Sequence, residues 1–314
     1  MKIGAMLPHL GTGMGPAALV EAARRAEELG YDSLWVTERL LYPTNPRSPY
    51  PATPDGSLPK GFARVLTPIE TLTYVAAHTT RIALGTGVLL MPLHNPVMLA
   101  RQLATLDVLS GGRLRVGLGQ GWSADELEAG GAPSKGRAAR ADEFVRVLEA
   151  VWTTDPVEFS GRFFSVPRSI LQPKPVQSPR PPIYMAAYVP GALERVGRVA
   201  DGWMPSGVPL AAIGPMMGQV REAARAAGRD ASALELVIFA GPSILEQSPG
   251  EGRRDFVGTL DEIRRDVATA RDLSATEIIF QVGYSTGDLQ LDEYMRGLEQ
   301  LRHLCGPSTR PIAA

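Results

Sequence analysis

The chain has 314 residues, of which 44% are apolar, and its 32 Lys plus Arg nearly balance its 33 Asp plus Glu. Such a chain can bury a large core, which excludes global disorder, and the lack of a basic excess argues against nucleic acid or anionic lipid as the main partner. The single cysteine, Cys305, excludes an internal disulfide and a cysteine metal cluster and fits a reducing cytoplasm, and no apolar run is long enough to predict a membrane span.

Lys2–Leu7 reads as a first strand, not a signal peptide, and runs into Pro8-His9. A helix follows Gly15-Pro16, with Leu19, Ala22, Ala26 and Leu29 at helical spacing and Gly30 at its end. Ser33–Thr37 is the second strand. A long Pro-rich insertion, Leu41–Leu66, comes next, and such loops are often substrate lids. Thr67-Pro68-Ile69-Glu70 predicts a capping box opening the second helix. Ile82–Val88 is the third strand. Asn95-Pro96 opens a helix carrying Leu99, Leu103 and Leu106 on one face, closed by Gly111-Gly112.

Leu114–Gly119 is the fourth strand, and Ala138–Trp152 a helix. Val157–Val166 predicts a hairpin. Pro167–Pro182 holds six prolines and predicts an extended insertion. Then come a strand at Ile183–Ala187, a helix at Gly191–Ala200, a short strand at Gly202–Pro205 and a helix at Met216–Ala227. The chain ends with a strand at Leu236–Ala240, a helix opened by the capping box Thr259–Glu262, a strand at Glu277–Val282 and a helix at Leu291–Leu304. Strand and helix alternate through eight units, which implies parallel strands with helices outside. The reading is one domain over residues 1–314, a TIM (β/α)8 barrel with insertions after strands 2 and 4. A doubly wound open sheet is the alternative.

In such a barrel chemistry sits at the C-terminal ends of the strands. The residues there are His9, Glu38-Arg39, Gly87-Val88 with His94, Gln120-Gly121-Trp122, Ala187-Tyr188, Ser206 and Tyr284. No Ser-His-Asp order and no HExxH pair appears. The run Gly117–Gly121 lacks the third element of a dinucleotide loop. Its small residues either let a flat ligand approach the backbone or fit a narrow barrel layer. Glu38 is a candidate hydrogen-bond partner for a ring or a substrate, and Arg39 supplies positive charge where an anion grows, unless the two form a simple rim pair. His9 and His94 have the pKa range of an acid or base. A metal held by His9, Glu38 and His94 is a further alternative, disfavoured by the absence of an HxH pair. Trp122 is either an apolar lid on a ring or ordinary packing.

The segments AEELGYDSLWVTERL, RIALGTGVLLMPLHNP, QLATLDVLSGGRLRVGLGQGW, PKPVQSPRPPIY and ALERVGRVADGW together resemble the bacterial luciferase-like flavin and deazaflavin oxidoreductases, and most closely the coenzyme F420-dependent branch. The resemblance covers roughly Met1–Gly207. It implies an isoalloxazine-type ring at the barrel mouth, backed by a non-proline cis peptide whose counterpart here is Gly87–Val88. It places ring contacts at Gln120 and Gly121, a polar contact at Asp125, and the cofactor phosphate near Ala186, Ala187 and Tyr188. It implies catalytic roles for Glu38, Arg39, Trp122 and His9, a small-molecule substrate, coenzyme F420 or alternatively FMN as cofactor, and a homodimer. Three departures stand out. Arg39 replaces a histidine common in the deazaflavin branch. Trp122 replaces the glutamate of sugar-phosphate dehydrogenases. Ala186-Ala187-Tyr188-Val189 lacks the hydroxyl of a Gly-Gly-x-Ser phosphate loop. Both insertions are expected to shape substrate choice. A non-redox hydrolase or lyase, or a non-catalytic binding barrel, are the rival classes.

Overall fold

The computed structural model describes residues 1–11, 15–53, 55–133, 135–283 and 290–306. Eight parallel strands form its centre: β1 (Lys2–Met6), β2 (Ser33–Val36), β3 (Ala83–Thr86), β4 (Leu114–Gly119), β5 (Ile183–Met185), β6 (Gly202–Trp203), β7 (Glu235–Ala240) and β8 (Glu277–Phe280). Their order is β3-β2-β1-β8-β7-β6-β5-β4, and β3 pairs back with β4 at Leu84↔Leu114, so the sheet closes into a TIM barrel. The third strand is shorter than its apolar run suggests. It stops at Thr86, the Gly87–Val88 peptide is cis, and Leu89–Leu90 resumes pairing, now only with Leu118 and Gly119 of β4.

The helices are α1 (Pro16–Glu28), α2 (Pro68–Ala76), α3 (Pro96–Ser110), α4 (Ala124–Ala129), α5 (Arg137–Thr153), α6 (Pro190–Val199), α7 (Leu210–Ala226), α8 (Leu260–Asp272) and α9 (Leu291–Leu304). Local chemistry explains the sharpest boundaries. Asn95 Oδ1 accepts from the N–H groups of Val97 and Met98, and Gly111 at φ 67° closes α3. Thr259 and Glu262 form the expected box at the start of α8. The box expected at Thr67 does not form. Thr67 makes no side-chain cap, and Thr71 Oγ1 donates to its carbonyl instead. Helix α7 begins six residues before Met216 and carries Pro215 inside its second turn, where the ring removes one hydrogen bond without ending the helix. Helix α4, one and a half turns long, is capped by the Ser123 side chain, which accepts from the Glu126 N–H.

Two cores share the barrel wall. The outer one packs the strands against the helices, and the expected α3 face, Leu99, Leu103 and Leu106, is buried in it. The inner one is Met6, Trp35, Tyr184, Met204, Val237, Phe239 and Ile279, with Val88 at its upper edge. Glycines make room for it. A Cβ on Gly85 would lie 2.2 Å from the Trp35 ring, and one on Gly87 would lie 2.4 Å from Phe239. Below this layer sits a polar plug. Arg115 pairs with Glu277, Ser33 bonds Glu277, Trp35 Nε1 donates to Ser33 Oγ at 2.7 Å, and Tyr184 donates to Glu235 at 2.8 Å.

The two insertions lie at opposite ends. Residues 40–66 cover the C-terminal mouth. The segment 167–182 runs under the N-terminal end, where the Val176 N–H donates to Asp107 Oδ2 at 2.8 Å and Gln177 Nε2 donates to the Leu114 carbonyl at 2.8 Å. The second insertion therefore cannot shape a substrate at the mouth. Among the described residues no helix is long and apolar enough to cross a membrane.

Candidate active site

The floor of the mouth is apolar, made by Val88 and Phe239 above the inner core. Gly119 faces it from β4, where an added Cβ would lie 2.6 Å from Val88 Cγ2. Of the two readings of the glycine run, close packing inside a narrow barrel accounts for Gly117, as it does for Gly85 and Gly87 on β3 and just beyond it. Gly121, at φ 70°, turns the chain away from the strand toward α4.

Glu38 lies two residues beyond the end of β2. Its Oε2 accepts the Leu90 N–H at 2.6 Å, and His94 Nε2 lies 2.9 and 3.1 Å from its two oxygens. The carboxylate thus ties the end of the second strand to the chain just beyond Gly87–Val88. The Glu38 and His94 side chains are 12% and 21% exposed. The sequence singled out His94 only as one of two histidines near the strand ends. Its pairing with Glu38 depends on the turn Met91–Leu93 swinging it back over β2.

Arg39 is enclosed. Its guanidinium lies 5.4 Å from the Phe62 ring centroid and 5.2 Å from that of Trp122, and its Nη1 is 3.2 Å from Glu126 Oε2. The Arg39 and Glu126 side chains are 9% and 2% exposed, and Glu126 Oε1 also accepts the Leu40 N–H at 2.7 Å. Tyr50 packs on both rings, at 5.3 Å from Phe62 and 5.4 Å from Trp122. Arg39 and Trp122 therefore form the seat that clamps the insertion onto the barrel. The cation is part of a wall, held between the two rings and Glu126.

His9 is buried beneath the mouth. The Thr37 N–H donates to Nε2 at 2.9 Å, which leaves Nδ1–H to donate to the Leu7 carbonyl at 2.8 Å. Burial pushes its pKa down to about 4, so it is neutral at pH 7. The acid or base role expected for His9 is corrected by this geometry: both ring nitrogens are spent joining β1 to β2. The metal trio of His9, Glu38 and His94 does not assemble, and no group of three His, Cys, Asp or Glu among the described residues is placed to hold an ion.

Asp125 is likewise committed. The backbone N–H of Arg47 and then its guanidinium, at 3.0 and 2.7 Å, hold its carboxyl below the usual range and anchor the insertion to α4. Gln120 lines a cavity of about 10 Å³ together with Met91, Pro92, Arg137 and Phe144, and neither of its buried amide atoms finds a partner among the described residues. Ala187 is buried with its carbonyl accepting from Trp203 Nε1 at 3.0 Å, Ala186 is half-buried, and Tyr188 is exposed at the start of α6. Ser206 is half-buried beyond β6 and bridges to Phe239, and Tyr284 lies outside the described residues.

Comparison with known proteins agrees with this architecture. The chain is 38% identical over 205 residues to an uncharacterised protein of Mycobacterium tuberculosis (strain ATCC 25618 / H37Rv), covering 65% of this chain and 72% of that one. It is 33% identical over 194 residues to the F420-dependent glucose-6-phosphate dehydrogenase of Amycolatopsis mediterranei (strain U-32), covering 60% of this chain and 53% of that one. The fold matches the crystal structure of monooxygenase RslO1 from Streptomyces bottropensis with a TM-score of 0.77 at 24% identity, over 96% of this chain and 98% of that one. The family model described as luciferase-like monooxygenase matches residues 1–278, and the chain belongs to that family.

Proposed function

We propose that the protein is a coenzyme F420-dependent oxidoreductase that moves a hydride between the deazaflavin ring and a small organic substrate. The observation that carries this reading is the 33% identity to an F420-dependent dehydrogenase over 194 residues, 60% of this chain. The residues at the mouth fit such a ring. Val88 and Phe239 offer a flat apolar floor, Gly119 presents no side chain above it, and Glu38 with His94 supplies hydrogen-bonding groups at its edge. At the start of α6 Pro190 has no N–H and Ala192 and Leu193 donate to the Val189 carbonyl, so an anionic tail there would meet the Gly191 N–H and the positive end of the helix in place of the missing hydroxyl.

The bound deazaflavin supplies the redox chemistry; the chain supplies binding, orientation and electrostatics. The insertion, clamped by Arg39 and Trp122, excludes water from the floor and frames the substrate. Glucose 6-phosphate, the substrate in the relative's name, is not carried over, because Trp122 of this chain is packed between Arg39 and Tyr50. The lone cysteine supports a reducing intracellular setting, and the family resemblance supports a homodimer.

Titration of the purified protein with coenzyme F420 and with FMN tests the reading. The expected result is saturable quenching of deazaflavin fluorescence, with weaker or no response to FMN. Binding of neither overturns it. Substrate-dependent oxygen uptake with reduced FMN alone moves the protein to the flavin monooxygenases of the same family.

A further inference from the structure

Helix α4 and the insertion stand apart from the barrel they cover. No described residue between 37 and 68, or between 119 and 140, belongs to either hydrophobic core. Within α4 only Glu126 is buried, and its carboxylate is spent on Arg39 and the Leu40 N–H. The two segments are tied to each other instead. The Arg47 N–H and guanidinium donate to Asp125 at 3.0 and 2.7 Å, and the Ala124 N–H donates to Ser48 Oγ at 3.1 Å. The far half of the insertion is fastened elsewhere: the Gly11 N–H donates to the Arg64 carbonyl and the Leu66 N–H to the His9 carbonyl, both at 2.9 Å. Segments with polar ties to one another and no apolar stake in the core open together, at a fraction of the free energy of global unfolding.

We propose that residues 40–50 and 122–133 form one gate over the mouth, turning on Gly121 and Gly136. Both glycines lie in the left-handed region, at φ 70° where the chain leaves β4 and at φ 75° just before α5. Beside each pivot is a buried polar group with no partner among the described residues: both amide atoms of Gln120 next to Gly121, and Nη1 of Arg137 next to Gly136. The two groups line the same small cavity. Unmet polar atoms weigh against the closed arrangement, and swinging α4 outward lets water reach them, so the closed and open states differ by little. The seam runs beside Tyr50. Its ring packs on Trp122 within the gate, and on Phe62 in the fastened half of the insertion. The gate does not depend on the redox reading, since any ligand of the Val88 and Phe239 floor passes it.

Hydrogen exchange of the full chain, read by mass spectrometry, tests this. In the wild type, residues 40–50 and α4 are expected to share one level of protection, on the order of 10²-fold below that of β4 and α5. Arg47→Ala and Ser48→Ala, made on the insertion side, are expected to speed exchange in α4 by the same factor as in 40–50, with α5 unchanged. An added Cβ meets nothing closer than 3.4 Å at Gly121 and 4.0 Å at Gly136, so alanine there probes the backbone turn and not the packing. Either substitution is expected to raise the open population about tenfold. Maleimide labelling of Val88→Cys in the floor, with the buried Cys305 as internal reference, is expected to quicken by that same factor when Gly121→Ala is added. An α4 as protected as α5 overturns the proposal, as does exchange that rises in 40–50 but not in α4. Faster exchange of α4 with unchanged labelling at position 88 also overturns it, because α4 would then move without opening the mouth.

Discussion

His9 shows how burial converts a residue with catalytic potential into a fastener. Held neutral, with a folded-state pKa near 4 against an unfolded value near 6.5, it sets a pH dependence on stability. Above about pH 6.5 neither state binds the proton. As pH falls from there to about 4, the unfolded chain takes up the proton and the folded one does not, so stability drops, by on the order of 3 kcal/mol over that window. Urea unfolding at pH 7 and pH 4.5 is expected to show this loss in the wild type and a smaller one in His9→Asn. Equal losses in the two would assign the acid sensitivity to other groups. The sequence marked both His9 and His94 as candidate acids or bases and gave the catalytic role to His9. Only the distances separate them: one ring has both nitrogens bonded to backbone, and the other faces a carboxylate with one nitrogen left over.

At the scale of elements, the insertion 40–66 is held by side chains far from it in sequence. Glu126 reaches from α4 to the Leu40 N–H and to Arg39, and Asp125 and Glu128 take the Arg47 guanidinium. The two sets differ in weight. The exposed Arg47 pairs are screened by solvent and contribute little, whereas removing Glu126 takes from the enclosed Arg39 guanidinium its carboxylate partner, leaving it the Glu38 carbonyl, and takes the acceptor from the Leu40 N–H, at a cost of about 3 kcal/mol. In Glu126→Ala, trypsin is therefore expected to cut after Arg47, Lys60 or Arg64 much faster than in the wild type, with global unfolding little changed. Unaltered cleavage would show that aromatic packing on Trp122 holds the segment by itself. The proline content of 41–66 identified a long loop correctly. It held no sign of the anchor, because the helix that provides it, α4, is six residues long and too short for a periodic pattern.

For the molecule as a whole, the polar plug below the inner core is the main stability hazard. Arg115 and Glu277 come from opposite sides of the closed sheet and meet only because β3 pairs with β4. Glu277→Ala is expected to cost about 3–5 kcal/mol, since it strands a largely buried cation. Replacing Arg115 with Met and Glu277 with Leu together is expected to recover most of that loss. Urea midpoints of the three proteins measure both effects, and a single variant as stable as the wild type would contradict the assigned pairing. Arg115 and Glu277 are also the residues that no sequence pattern flagged, because each sits alone in an otherwise apolar strand.

The order of elements, the barrel and most helix ends followed from the chain itself. Strand and helix periods, Asn95 and Thr259 as caps, and Gly111 as a stop are local effects, set by neighbours within a few residues. What lies across the barrel was settled in three dimensions: which histidine faces Glu38, that Arg39 is walled in, that the Gln120 amide is buried without a partner, and that residues 167–182 pass under the far end. Each of these joins residues tens of positions apart. Closing the sheet fixes those separations, and contacts at such distances leave no imprint on local periodicity or spacing.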